Sequence, residues 1–467
     1  MLSLLSASVL RLLRRLLLKR VEKMDVDRLL ARAQRAAAGV AVHAARCSAA
    51  YRILLQEQQI DSSLLGVETP MSTLPILTKK NTFERFTLAQ LASPMAPGDI
   101  ASVLTSSGRG GHSFGFRLAS RAQHHNAWFD IDLGLQKMFD VDARTTLLVN
   151  CLPMGVVFES RAVAVANVSV REDMACAILR DVGPRFSQTL VCADPLFIRR
   201  LLDCASEAGI DWQALNTSLI LGEEMLVEAQ RDYLAARMSI DLDGDSHRLI
   251  GSSFGVGELG LNLLFETRET IRLRRAMRQQ TERHSAPSFF CFNPIQCHIE
   301  VLQPDSDGFG ELCFTLLNRN AGILLPRYCT GDLGKVFTRA EATTAARRVG
   351  VGLPGLPLVA VKGRLQDRPS GMPTVESIKE LIYTDHQVAD QLTGAFRITP
   401  VDGGGIRLTM QLNSERALEN HAVQERLKAL IHSQQLGPIE LKLLAPQAFP
   451  YRPTLDFERK FPYVARA

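Results

Sequence analysis

Thr217-Ser218-Leu219-Ile220-Leu221-Gly222-Glu223-Glu224 is a short apolar run that stops at a glycine followed by two acids. A run of this length between polar neighbours fits a strand buried on both faces, which puts Gly222, Glu223 and Glu224 at a strand end. Two similar runs precede it, over 146–151 and 189–192. Helical patterns lie between them, over 161–180 and 195–209. Strand and helix in alternation predict the α/β class, a partly parallel sheet with helices on its faces.

Outward on the N-terminal side, Leu29, Leu30, Ala33, Ala36 and Ala37 recur at helical spacing and predict helix over 25–60. Several Pro and Ser residues over 61–100 predict a mostly irregular connection. A small-residue loop follows, Thr105-Ser106-Ser107-Gly108-Arg109-Gly110-Gly111-His112. On the C-terminal side, Gly350, Gly352, Pro354, Gly355, Pro357, Gly363, Pro369, Gly371 and Pro373 predict a linker. Beyond it the pattern is helix over 375–392, strands over 396–401 and 406–412, helix over 414–432 and strand over 439–444. Asp402-Gly403-Gly404-Gly405 is a hairpin signal between the first two strands. The organisation expected is an extension or amphipathic helix over 1–24, a large multi-subdomain domain over 25–363 and a small α+β domain over 364–467. There is no internal repeat.

The chain has 467 residues, 46% of them apolar, which suits two or three domains and not disorder. Its 54 basic and 49 acidic residues leave a net charge of +5, with the Arg residues scattered, so nothing points to nucleic acid. Nine Cys without tight spacing predict reduced thiols and a cytoplasmic protein. No apolar stretch is long enough and free enough of charge to span a membrane. Residues 1–20 are Leu-rich, but Arg11, Arg14 and Arg15 make them too charged for a spanning helix or a signal-peptide core. Two readings remain. One is a basic helix lying on a membrane surface. The favoured one is a helix packed on the protein, or an extension ahead of a second start at Met24, because apolar residues surround most of the helix.

Several local patterns bear on chemistry. Gly255-Val256-Gly257-Glu258-Leu259-Gly260 fits a dinucleotide fingerprint, but no second strand ending in an acid follows at the needed distance. Gly111-His112-Ser113-Phe114-Gly115 and Gly251-Ser252-Ser253-Phe254-Gly255 fit the hydrolase pattern, a frequent chance match in glycine-rich loops. The Thr105–His112 stretch is a stronger phosphate candidate, since glycines admit anionic oxygens to backbone N–H groups and Arg109 adds a cation; a surface loop is the alternative. Cys291, Cys297, His298 and Cys313 are soft ligands without paired zinc spacing, and buried thiols are the favoured reading. Cys151 reads as a core thiol, and His124-His125 as a solvated pair.

Taken in order, Gly222-Glu223-Glu224, Phe254-Gly255-Val256-Gly257-Glu258, Thr330-Gly331-Asp332-Leu333, Gly363-Arg364 and Lys460 resemble the adenylate-forming enzymes, and within them the phenylacetate–CoA ligase branch. The resemblance runs from Pro75-Ile76-Leu77-Thr78-Lys79 to Lys460, and Gly308-Phe309-Gly310-Glu311-Leu312 resembles the turn and strand ahead of the Asp332 motif. It implies that Ser106, Ser107, Gly108, Gly110 and Gly111 cradle the ATP phosphates. Gly222, Glu223 and Glu224 would line the adenine and acid pockets. Phe254 and Gly255 would lie beside the adenylate, and Glu258 would be the Mg²⁺ ligand. Asp332 would accept both ribose hydroxyls, Arg364 would sit near ribose and phosphate, and Lys460 would bridge the substrate carboxylate and the α-phosphate. Met154 and Phe158 are the candidate walls of the acid pocket.

The sequence departs from that family in places. The usual loop lysine is replaced by His112, and the hydroxyl residue before the motif's Glu is Gly257. The place of the hinge Asp is taken by Gln366, with Asp367 next, and the loop over 368–372 is short. The resemblance implies ATP-dependent activation of an aryl or apolar carboxylic acid to an acyl-adenylate, then transfer to CoA or a carrier-protein thiol. A non-thiol acceptor such as an amine, and an inactive homologue serving as a binding module, are the alternatives. The small domain would rotate between the two half-reactions.

Overall fold

The structure is a computed structural model that describes residues 5–106, 114–245, 247–280, 286–368, 372–401, 405–419, 421–434, 436–451, 457 and 460–465. Three helices open it: α1 (Ala7–Glu22), α2 (Val26–Cys47) and α3 (Ala49–Glu57). The helix predicted over 25–60 is two helices because Ser48 adopts an extended backbone, ends α2 and accepts the Tyr51 N–H to cap α3. The connection that follows is mostly irregular, with the single turn α4 (Leu88–Leu91). Strands β1 (Ile100–Thr105) and β2 (Phe116–Ser120) pair antiparallel on either side of the small-residue loop.

After α5 (Arg121–Phe139) come β3 (Thr146–Asn150), β4 (Ala164–Asn167), α6 (Glu172–Asp181), β5 (Gln188–Ala193), α7 (Pro195–Glu207), β6 (Thr217–Leu221), α8 (Glu228–Arg237) and β7 (Ile250–Val256). Neighbouring strands of this set are parallel. The sheet continues antiparallel through β8 (Gly260–Phe265), then α9 (Arg268–Gln280), β9 (Ser288–Phe292), β10 (Cys297–Leu302), β11 (Gly310–Leu316), β12 (Tyr328–Val336), α10 (Arg339–Val349) and β13 (Leu358–Arg364). The result is one 11-stranded sheet in the order β10-β11-β12-β13-β9-β8-β7-β6-β5-β3-β4.

Two expectations are corrected here. The helix predicted over 161–180 is strand β4 followed by the shorter α6; the Val and Ala residues alternate, and Ala164–Asn167 pairs with β3 at the sheet edge. The linker predicted over 350–373 contains β13, an inner strand between β12 and β9 whose residues 358–361 are all buried. The strand runs to Arg364, so the large sheet takes up the middle of the stretch read as linker.

The small domain is α11 (Val375–Thr384), α12 (His386–Gln391), β14 (Leu392–Val401), β15 (Gly405–Leu412), α13 (His421–Ser433) and β16 (Ile439–Leu444). Its sheet runs β14-β15-β16, antiparallel then parallel. The helix predicted over 375–392 breaks at Asp385, whose carboxylate caps α12. The one predicted over 414–432 begins at His421, after a 3₁₀ turn. Residues 402–404 of the predicted hairpin turn lie outside the described residues.

The small domain shares a hydrophobic core with the parallel half of the large one. Ile378, Leu381, Phe396 and Met410 belong to the same buried cluster as Val149, Val191, Phe197 and Leu234. Below it, Arg231 and Arg274 are buried with Glu228 and Glu266. Glu380 reaches this network from α11 and accepts the N–H groups of Glu228 (3.0 Å) and Ala229 (3.1 Å) at the start of α8.

The N-terminal helix packs on the protein. Leu10 is buried with Trp128 and Phe129, and Arg14 pairs with Asp132 and Asp142. No helix among the described residues is long and apolar enough to cross a membrane. Cys313 and Cys329 stand opposite each other on β11 and β12 and form a disulfide, which corrects the expectation that all thiols are reduced. Zinc loses Cys313 with it, and no cluster of three or more His, Cys, Asp or Glu side chains placed to hold a metal ion exists among the described residues. Cys291 and Cys297 are buried thiols, and burial, then Arg327, pushes His298 down to about 4.

Candidate active site

The parallel strands end along one edge, and their last residues build the site. Beyond β6, Gly222 donates to the Ala193 carbonyl (3.0 Å) and Glu224 to that of Gly222 (2.8 Å). Between them Glu223 takes a left-handed conformation, φ 69°, uncommon for a residue with a side chain. This turn separates two acids with different partners. Glu223 Oε2 lies 3.0 Å from Lys460 Nζ. Glu224 Oε2 is 2.7 Å from Lys379 Nζ and accepts the Tyr463 hydroxyl at 2.7 Å.

A cleft of about 220 Å³ opens there, lined among others by Lys79, Ser106, Met154, Gly222, Glu223, Gly255, Glu258, Thr330, Arg364 and Lys460. A smaller cavity beside it is lined by Glu224, Phe254, Asp332, Arg364, Lys379 and Lys460. Residues far apart in sequence thus line two adjoining cavities. Phe158 does not join them; it packs half-buried near Leu148 and Leu190 instead. Ser107, Gly108, Gly110 and Gly111, with Arg109 and His112, lie outside the described residues.

The GxGxxG stretch is a hairpin. β7 ends at Val256 and β8 returns antiparallel from Gly260, so neither a dinucleotide turn nor a nucleophile elbow at Ser253 exists, since both need a helix there. Gly257 has a packing reason: a Cβ there would lie 2.8 Å from Ser106 Cα and 3.0 Å from the Thr105 carbonyl oxygen. The end of β1 presses on the hairpin too closely for any side chain. The hydroxyl missing at 257 has a neighbour in Ser106, which accepts the Gly115 N–H (2.9 Å) and lies 3.3 Å from Lys79 Nζ. Glu258 is buried against Gly115 and accepts the Tyr328 hydroxyl.

Asp332 and Arg364 are register partners on β12 and β13, with Arg364 Nε 3.6 Å from Asp332 Oδ1. Asp332 is buried, and its Oδ2 has no hydrogen-bond partner among the described residues; nor has Thr330 Oγ1. A buried carboxylate oxygen left without a donor is costly, and a vicinal diol supplies what it lacks. Asp332 Oδ2 is thus an acceptor open to a hydroxyl-bearing ligand.

Lys460 enters from the C-terminal segment. That segment is tied down by Phe461 and Tyr463, both buried, and by the Ile398 N–H donating to the Tyr463 carbonyl at 2.8 Å. Burial, then Glu224, pushes the Tyr463 hydroxyl well above its ordinary value. Behind the site Asp194 is pushed up to about 7 by burial and then by Glu224.

Sequence reasoning assigns no role to Lys79, Tyr328, Lys379 or Tyr463. Lys79 carries a signal, since it ends the Pro75–Lys79 motif. Lys379 carries another, a cation at a helix position between buried Ile378 and Leu381.

No protein-family model matches the sequence. No curated protein matches it either. Solved structures do match in fold. 2-Hydroxyisobutyryl-CoA ligase in its postadenylation state with 2-HIB-AMP superposes with a TM-score of 0.68 at 14% identity, over 96% of this chain and 92% of that one. The same ligase with 2-HIB-AMP and CoA in the thioesterification state gives 0.56 at 14% identity, over 96% and 91%. The chain has the fold of the adenylate-forming ligases, with a large N-terminal and a small C-terminal domain.

Proposed function

We propose that the protein activates a carboxylic acid with ATP, releasing pyrophosphate and forming an acyl-adenylate. The observation that carries the proposal is the convergence of Lys460, Glu258 and the Asp332–Arg364 pair on two adjoining cavities that share Arg364 and Lys460. In this reading Asp332 holds the ribose and Phe254 lies beside the adenylate. Two anions must approach each other for the carboxylate oxygen to attack the α-phosphorus. Lys460 supplies the cation between them, and its present partner Glu223 is a carboxylate like the one it would meet in a substrate. Glu258 would hold Mg²⁺, which neutralises phosphate charge. Leu152, Met154, Val156 and Leu261 make an apolar wall, which supports an apolar or aryl acyl group.

The acceptor is proposed as the thiol of CoA or of a carrier protein, supported by the fold shared with a CoA ligase. ATP and CoA are supplied inside cells, which supports a cytoplasmic site of action. One observation favours the second reading, a non-thiol nucleophile such as an amine: the shared core, Lys379 and Glu380 tie the small domain to the large one, against a large rotation. An inactive binding module is disfavoured by the retention of Lys460, Asp332 and Glu258 together. The test is pyrophosphate release across a panel of carboxylic acids, with and without CoA. Release that depends on the acid supports adenylation; no release with any acid overturns it. Acyl-CoA in the products identifies the thiol route.

A further inference from the structure

Helix α1 has two apolar faces, and only one is used. Leu10 is buried against Trp128 and Phe129, and Arg14 is buried beside Asp132 (3.7 Å) and Asp142. At about 100° per residue, Val9, Leu12 and Leu16 fall on one stripe on the opposite side. They are 46%, 58% and 56% exposed. Arg11 and Arg15 border that stripe on one side and Arg20 on the other, with Lys19 at its C-terminal end, all exposed. None of these four cations has an ion pair among the described residues. The helix's one acid, Glu22, is paired with Lys137.

An apolar stripe with cations on both borders matches a bilayer surface in cross-section. Aliphatic side chains reach the acyl boundary, and long basic side chains extend to the headgroups. We propose that the outer face of α1 docks the protein on an anionic lipid bilayer, with the helix lying in the membrane plane. Charge selects this occupant. A second copy of the chain would set four unpaired cations against four more, whereas an anionic leaflet attracts every one of them. The buried Arg14–Asp132 contact fixes the rotation of α1, so the stripe is presented outward without refolding. Docking of this kind is reversible, because one short stripe is far less than a spanning helix.

The experiment is co-sedimentation of the full chain with vesicles of phosphatidylcholine alone, or with about one third phosphatidylglycerol. Binding is expected to the mixed vesicles only, and to weaken as salt is raised. The variants Leu12→Glu with Leu16→Glu, and Arg11→Glu with Arg15→Glu, should each lower partitioning about tenfold or more. These side chains are exposed, so thermal unfolding should match that of the wild type, and a variant that fails this check is replaced by Leu16→Ser alone. Equal binding by the variants and the wild type, or no binding to mixed vesicles, overturns the proposal. So does a homodimer in light scattering that Leu12→Glu dissociates, which would give the stripe to a second copy.

Discussion

Lys379 Nζ lies 2.7 Å from Glu224 Oε2, and the two side chains are only 4% and 3% exposed. The pair joins α11 of the small domain to the turn after β6. Tyr463 donates to the same oxygen from the C-terminal segment. Glu224 is therefore held from two points of the small domain, while Glu223, one residue earlier, holds Lys460. The shape of the cleft depends on an ion pair that any rotation of the small domain would have to break.

That pair sets the first prediction. Lys379→Met should leave Glu224 buried without its cation and cost about 3–5 kcal/mol of stability. Lys379→Met combined with Glu224→Gln should cost less than the sum of the two single changes. Urea unfolding of the four proteins gives the cycle. A loss within about 0.5 kcal/mol for Lys379→Met, the size of an ordinary surface change, would remove the pair from this role.

Gly257 gives a prediction that runs against family resemblance. Restoring the family's hydroxyl with Gly257→Ser should harm the enzyme, because the new Cβ meets backbone atoms of Thr105 and Ser106. Overpacking of this kind costs about 1–3 kcal/mol. The shift falls on Ser106, so pyrophosphate release should drop as well. A Gly257→Ser variant as stable and as active as the wild type would show that β1 yields freely.

The parallel strands are legible in the sequence because a strand buried on both faces is a continuous apolar run: β3, β5 and β6 lie where 146–151, 189–192 and 217–221 predict them. β4 is not, because it is a four-residue edge strand whose Val and Ala spacing also fits a helix. β13 is hidden by the glycines and prolines around it, although residues 358–361 are themselves an apolar run. In the site, Lys460, Glu258, Asp332 and Arg364 are legible through the order of their motifs. Lys379 and the Cys313–Cys329 bond are not, since both depend on which distant elements meet. The disulfide needs the register of β11 on β12, which no local pattern carries.

Asp194 makes stability depend on pH. Its folded value, about 7, lies above the ordinary 3.8, so the folded state holds this proton more tightly than the unfolded chain does. The stabilisation is full below about pH 4 and is lost as pH rises toward 7. Glu224 opposes its ionisation and Lys379 favours it. Asp194→Asn keeps the cap on α7, where the side chain accepts the Leu196 and Phe197 N–H groups, and removes the titration. The fall in unfolding free energy between about pH 4 and 7 should therefore be shallower in Asp194→Asn. Parallel stability curves for the two proteins would contradict this.

Asp332→Ala should weaken ATP binding, because the ribose loses an ionised acceptor whose Oδ2 has no protein partner among the described residues. A charged hydrogen bond of this kind is worth roughly 1.5–3 kcal/mol, so affinity should fall at least tenfold. Calorimetric titration measures it directly, and an unchanged affinity would take Asp332 out of the ribose site.

Lys460 separates an enzyme from a scaffold. Its ammonium reaches the cleft only because Phe461 and Tyr463 anchor the segment, and it already meets a carboxylate there, Glu223 Oε2 at 3.0 Å. If it bridges the substrate acid and the α-phosphate, its charge matters most as charge moves in the transition state. Lys460→Ala should then lower adenylation about 10²–10³-fold, the range for losing one such donor. ATP binding should change little, since Asp332 and Arg364 remain. Some stability should be lost as well, because the Lys460 and Glu223 side chains are only 12% and 13% exposed and the change leaves Glu223 without its cation, so rates are compared well below the variant's unfolding transition. Lys442→Ala, an exposed lysine on β16, is the control. A solvated basic tail predicts equal, small effects for both. Acid-dependent pyrophosphate exchange decides between them, and equal rates for wild type, Lys460→Ala and Lys442→Ala would reject Lys460 as the catalytic cation.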